Sequence, residues 1–172
     1  VQVSALTARK GIMELAEKFL ALPNLERRSA KLLFVGDGEL RDQLKAVAAE
    51  SSGAIRVLGQ LPPEEVRRLL WAADAFVLNT RLDPNPLSAI EAAAAGLPVV
   101  MSAAAGNIHE VVEATNAGFV IRDPSDPSDA LCAVLSATDA QLTEMGNRAA
   151  KLARTHFNAP AVARSLIAQL YP

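Results

Sequence analysis

At 172 residues the chain is long enough for one well-packed domain and too short for two ordinary ones. Half of it is apolar (51%) and a fifth charged (21%), a globular composition rather than a disordered or fibrous one. A formal net charge of −2 and only 4% aromatic residues leave neither a basic stripe nor stacking side chains, which argues against a nucleic-acid binder.

Strand and helix signals alternate from the first residue. Val1 to Leu6 reads as a strand, and Lys10 to Leu22 as an amphipathic helix with Ile12, Leu15, Ala16 and Leu20 on its apolar face. Lys31-Leu32-Leu33-Phe34-Val35 is a continuous apolar strand stopped by Gly36-Asp37-Gly38. Glu39 to Ser51 is helical, with Leu40, Leu44, Val47 and Ala48 at helical spacing, and Ile55-Arg56-Val57-Leu58 is a short strand ended by Gly59. Pro62-Pro63-Glu64-Glu65 opens a helix through Leu70, its acids in the first turn where the helix dipole favours them.

Ala75–Leu78 is the next strand, followed by a helix over Pro86–Ala95 and a strand at Val99–Met101. A helix over Ile108–Ala114 and a strand at Gly118-Phe119-Val120-Ile121 follow. The connection Asp123–Asp129 is rich in turn residues, and its end should cap the helix that carries Leu131 and Leu135. Two more helices are expected at Ala140–His156 and Ala161–Leu170, with Pro160 just inside the start of the last. Six short apolar strands alternating with helices predict an α/β fold: a doubly wound parallel sheet of about six strands, helices on both faces, in one Rossmann-like domain spanning residues 1–172.

Chemistry concentrates in Asp83-Pro84-Asn85-Pro86-Leu87-Ser88-Ala89-Ile90-Glu91, between two strands. Asn85 suits an N-cap and Pro86 the first helical position, where its missing N–H does no harm. The free amides of Leu87 and Ser88 would then point out of a positive helix end, a seat for phosphate. Glu91 lies one turn on, roughly 7–8 Å from Pro86 along the axis, and is the only polar side chain from Ala89 to Ala95. It is either a carboxylate at a partly exposed helix edge or one held near the strand ends to accept sugar hydroxyls.

Other motifs are less specific. Gly36-Asp37-Gly38-Glu39-Leu40-Arg41 lacks the third glycine of a dinucleotide fingerprint, so it reads as a tight strand-to-helix turn or a backbone wall to a ligand cleft. Lys10, after the first strand, is either a surface lysine or a point charge within reach of a phosphate. His109 and His156 are isolated, with no metal-ligand spacing around them, so no metal site is expected. Cys132, the only cysteine, sits in an apolar helical run as a small hydrophobe and excludes an intramolecular disulfide. One cysteine and no signal-like start suit a cytoplasmic setting, and no uninterrupted apolar run is long enough to span a membrane. The chain begins without methionine inside the apolar run Val1-Gln2-Val3, as an excised domain begins, so a partner domain is expected outside it.

Taken in order, Arg9-Lys10-Gly11, Leu33-Phe34-Val35-Gly36-Asp37-Gly38, Val57-Leu58-Gly59-Gln60-Leu61-Pro62, Ala72-Ala73-Asp74-Ala75-Phe76-Val77-Leu78, Asp83–Ala92, Ala95-Gly96-Leu97-Pro98-Val99-Val100 and Gly106-Asn107-Ile108-His109-Glu110 run in one register across nearly the whole chain. That series resembles the C-terminal, donor-binding domain of the retaining GT-B glycosyltransferases called glycosyl transferases group 1. The resemblance implies a nucleoside diphosphate sugar as donor substrate, UDP- or GDP-linked, with no further cofactor and no bound metal. It also implies an N-terminal domain supplying the acceptor site across a cleft, and through that domain a peripheral contact with the inner face of the membrane.

Residue by residue, Glu91 matches the second acid of the family's E-x7-E motif, which holds the donor ribose, and Asp83 stands where the first acid contacts the transferred sugar. Asn85, Pro86, Leu87 and Ser88 match the diphosphate loop, and Lys10 the cation that neutralises the leaving diphosphate. The backbone near Leu58, Gly59 and Leu61 matches the nucleobase wall, and Gly36 is a candidate contact to the nucleotide where its turn serves as a cleft wall rather than only as a tight turn. Two positions depart from the pattern: Ser4-Ala5-Leu6 replaces the usual Gly-Arg-Leu, removing a phosphate-gripping arginine, and Asp83 is one methylene shorter than the family's glutamate. The implied function is hexosyl transfer to a glycan, lipid-linked or small-molecule acceptor. The competing readings are a non-catalytic sugar-nucleotide or interaction module and another GT-B enzyme such as a sugar-nucleotide epimerase.

Overall fold

The computed structural model describes residues 1–23 and 30–158. Three strands, β1 (Gln2–Val3), β2 (Leu32–Val35) and β3 (Ile55–Gly59), form one parallel sheet in the order β1-β2-β3. A second parallel sheet holds β4 (Phe76–Leu78), β5 (Val99–Ser102) and β6 (Gly118–Ile121) in the order β4-β5-β6. The helices are α1 (Ile12–Ala21), α2 (Arg41–Glu50), α3 (Pro63–Ala72), α4 (Leu87–Ala94), α5 (Ser128–Ser136) and α6 (Asp139–His156). A 3₁₀ turn at Ala8–Lys10 and a π-helical turn at His109–Glu113 complete the described elements.

The six strands thus fall into two sheets of three rather than one continuous ladder, because the junction strand β1 is only two residues long. Where the sheets meet, the Val1 nitrogen donates to Ala75 O at 2.8 Å and the Val77 N–H donates to Val1 O at 2.9 Å. Side by side the strands run 3-2-1-4-5-6, and the direction of winding reverses between β1 and β4. Open α/β sheets bind ligands at that reversal, outside the carboxyl ends of the strands.

Alternation along each strand sends side chains to both faces, and both faces are covered. Phe76, Leu78, Val99 and Met101 pack with Ala89, Ala92 and Ala93 of α4 and Ala149 and Ala153 of α6. Phe34, Val77 and Val100 pack on the other face with Ile12, Leu15 and Phe19 of α1, Leu44 of α2 and Leu131 of α5. Cys132 is half-buried against this second cluster.

Several boundaries differ from the sequence expectation. β1 stops at Val3: the Ser4 N–H still donates to Val35 O at the end of β2, at 3.1 Å, but the Leu6 N–H donates to Asp37 O in the loop beyond it, at 2.8 Å. Lys10 lies in the 3₁₀ turn, and α1 starts only at Ile12 because Gly11 adopts a left-handed φ of 58°. The helix expected over Ile108–Ala114 is present as a π-helical turn over His109–Glu113, and α5 has Pro127 as its N-cap residue with no side-chain cap, while Asp126 accepts from the Ser128 N–H. Thr138 and Gln141 form a capping box that starts α6. The helix expected at 161–170, with Pro160, lies outside the described residues.

Candidate functional site

β1 and β4 end on one edge, and the loops leaving them are tied together. After β4, the Asn79 Nδ2 donates to Gly11 O at 3.1 Å and to Pro124 O at 2.8 Å, Thr80 Oγ1 donates to Arg9 O at 3.3 Å, and the Arg81 N–H donates to the same oxygen at 2.8 Å. Gln2, fully buried, donates from β1 to Lys10 O at 3.4 Å. Gly11 makes this approach possible: besides its left-handed φ, a Cβ there would lie 2.1 Å from Asn79 O. These bonds hold the Lys10 backbone between two strand ends.

The Lys10 side chain forms an ion pair with Asp83, and both side chains are largely withdrawn from solvent, 10% and 14% exposed. Asp83 is fixed by its own backbone: it bridges Ala105 in parallel fashion, and its carbonyl accepts the Gly106 N–H at 2.8 Å. Asn85 does not cap the next helix. Its Oδ1 accepts from Asn107 Nδ2 at 3.1 Å, and Pro86 takes the N-cap position, so α4 begins at Leu87 without a side-chain cap. The amides of Leu87 and Ser88 therefore belong to the first turn, where no intrahelical partner exists. Leu87 is 64% exposed, Ser88 half-buried, and Glu91, one turn further, is exposed.

Glu91 and Leu61 line one cavity of about 490 Å³, together with Val3, Val66, Leu70 and Trp71. A neighbouring cavity of about 320 Å³ is lined by Ser4, Ala5, Gly36, Asp37 and Gln60, and shares Val3, Leu61 and Val66 with the first. The structure thus gathers Glu91, Leu61 and Gly36 along one groove, with Lys10, Asp83, Asn85, Leu87 and Ser88 outside both linings. Leu58 and Gly59 also line neither cavity, since they lie on β3, the outer strand of its sheet.

Sequence reasoning passed over Arg67 and Trp71, which line the larger cavity from α3. The Arg67 guanidinium lies 5.5 Å from the Trp71 ring centroid and pairs with Glu64. The available signal was the helical i, i+4 spacing of a cation and the chain's single tryptophan. Asn79, a buried polar residue immediately after β4, was also missed, and Asn107, buried in the loop between β5 and the π-helical turn, stood in the motif series without a role.

His109 is exposed and faces Glu113 at 3.4 Å, and among the described residues no group of three or more His, Cys, Asp or Glu is placed to hold a metal ion. In the turn after β6, the Ser125 hydroxyl and N–H hold Asp123 below the usual carboxylate range, and those of Ser128 do the same for Asp126. No described helix is long and apolar enough to cross a membrane.

Among curated proteins, an uncharacterized glycosyltransferase of Methanocaldococcus jannaschii is 34% identical over 128 residues, which is 73% of this chain and 32% of that protein. A GDP-mannose-dependent monoacylated alpha-(1-6)-phosphatidylinositol monomannoside mannosyltransferase of Corynebacterium glutamicum is 33% identical over 127 residues, 69% of this chain and 32% of that protein. The chain thus spans about a third of these relatives. Among solved structures, Anabaena HepE in complex with UDP-glucose superposes with a TM-score of 0.81 at 20% identity, over 98% of this chain and 47% of HepE, a likeness of fold. The family model of glycosyl transferases group 1 matches residues 1–156, from β1 to the end of α6, so the switch-point edge and both cavities lie inside it: the chain belongs to the glycosyl transferases group 1 family.

Proposed function

We propose that this chain is the donor-binding half of a retaining hexosyltransferase that uses a nucleoside diphosphate sugar. The observation that carries the reading is the nearly buried Lys10–Asp83 pair beside the uncapped start of α4, with Glu91, one turn along the same helix, lining a cavity of its own. In transfer, the bond from the anomeric carbon to the diphosphate oxygen breaks while a bond from an acceptor hydroxyl oxygen forms, and the hydroxyl proton passes to the leaving diphosphate. Negative charge gathers on the leaving diphosphate, where Lys10 and the Leu87 and Ser88 amides supply fixed positive potential. Glu91 accepts the ribose hydroxyls, and Asp83, shorter than the family's glutamate, faces the transferred sugar. Leu61 and the Gly36 turn form the wall behind the nucleotide.

Nucleotide-bound structures such as that of HepE support a sugar-nucleotide donor, and the short span relative to full-length relatives supports an acceptor domain elsewhere. With no acceptor side to its cleft, this chain by itself should bind nucleotide and transfer nothing.

Calorimetric titration with UDP, GDP and ADP tests the reading. Saturable binding is expected for at least one, and Glu91→Ala should weaken it about ten- to a hundredfold, as losing hydrogen bonds to a charged group does. A folded chain that binds none of the three, or binds equally well without Glu91, would refute the donor assignment. Hexosyl transfer by the chain alone would leave the donor assignment standing and overturn only the expectation that a second domain is needed.

A further inference from the structure

Two starts compete at the head of α4. With Asn85 as N-cap, Pro86 would be the first helical residue, and the Asn85 Oδ1 would accept from the amide of Leu87 or Ser88, the second and third. In the observed start Pro86 is the N-cap residue, no side chain caps the helix, and those two amides have no intrahelical partner. One torsion separates the two: the Pro86 φ of −68° already suits a helix, and only its ψ, 100° rather than about −40°, keeps it outside. The side chain that would favour the other start is engaged elsewhere, since Asn85 Oδ1 accepts from Asn107 Nδ2 at 3.1 Å.

The Asn107 side chain is not needed to place this loop. Main chain fixes it already: Asp83 bridges Ala105, and the Gly106 N–H donates to Asp83 O at 2.8 Å. Nor does Asn107 satisfy itself, for it is only 7% exposed and its Oδ1 has no hydrogen-bond partner among the described residues, which costs stability. What its Nδ2 adds is the orientation of Asn85. We propose that Asn107 is a positioning residue: by holding Asn85 it sets where α4 begins and keeps the Leu87 and Ser88 amides open to the diphosphate of the donor. The inference rests on the donor reading above and adds to it a residue that acts through another.

The test titrates the 172-residue chain calorimetrically with UDP, GDP and ADP, and follows hydrogen exchange of the Leu87 and Ser88 amides without ligand. Asn107→Ala should weaken nucleotide binding about fivefold, the worth of a typical cap that the diphosphate must now displace, and should slow exchange at one of the two amides. Adding Asn85→Ala removes the competing side chain, so affinity should return to within about twofold of the parent and exchange to its original rate. Asn107→Leu, close in size, carries the same expectations if the alanine variant does not fold. A residue that only held the loop would leave the double variant as weak as the single one. That result, or unchanged affinity or unslowed exchange in Asn107→Ala, overturns the proposal, and the donor reading stands as long as binding depends on Glu91. If the parent binds none of the three, or Glu91→Ala changes nothing, the donor reading fails and the role of Asn107 falls with it.

Discussion

The Lys10→Met variant should lose about 10²–10³-fold in turnover when assayed in an enzyme of full family length, the scale of removing one group that stabilises developing charge. It should also destabilise the domain by about 3–5 kcal/mol, because Asp83 would be left as an uncompensated charge in a site only 14% exposed. These two losses have different origins and separate cleanly. Replacing both partners, Lys10→Met with Asp83→Leu, removes the stranded charge and should restore most of the stability while leaving turnover as low as in the single variant. Chemical denaturation of the 172-residue forms supplies the first readout and donor turnover the second. A double variant no more stable than Lys10→Met would show that the pair contributes packing rather than charge compensation.

Gly106→Ala should be nearly as costly, for a steric reason. A Cβ at this position would stand 2.1 Å from Pro84 O and 2.8 Å from its carbon, so the backbone itself must move. The displaced segment is the one that carries Asp83, whose carbonyl accepts the Gly106 N–H. Forced overpacking of this kind costs about 1–3 kcal/mol, which for a domain of this size lowers the thermal midpoint by roughly 2–12 °C. Donor affinity should fall as well, since Asp83 and the start of α4 shift together. Gly53→Ala is the control: its Cβ would meet nothing within 4 Å, so only the strain of a left-handed φ of 83°, about 1–2 kcal/mol, applies and nucleotide binding should be untouched. Equal nucleotide affinity in Gly106→Ala and the parent would detach the Asp83 loop from the binding site.

The strand count, the parallel arrangement and the covering of both faces were legible because each rests on local apolar runs and on the spacing between them. Lys10, Asp83 and Glu91 were legible as candidates for the same reason: each sits just beyond a strand or in an otherwise apolar helix. Their pairing was not. Lys10 meets Asp83 across 73 residues because Gln2, Asn79 and Thr80 bind the loop between them, and no periodicity encodes side-chain bonds of that separation. The start of α4 was misread by one position because Asn85, a favourable cap in isolation, finds a partner in Asn107, 22 residues away. Trp71 and Arg67 escaped because α3 looked like an ordinary surface helix until the cavity beneath it was visible.

One amide has a mechanical meaning. Asn79 Nδ2 bonds at once to the chain entering α1 and to the turn leaving β6, while its backbone continues toward Asp83. Three crossings from distant parts of the fold are thereby stapled at one point below the cleft. None of them can swing outward without pulling on the other two, so the spacing between cation and acid is fixed before any ligand arrives. If the proposed donor half closes against a second domain, it should travel as a single jaw, leaving the bending to whatever joins the two.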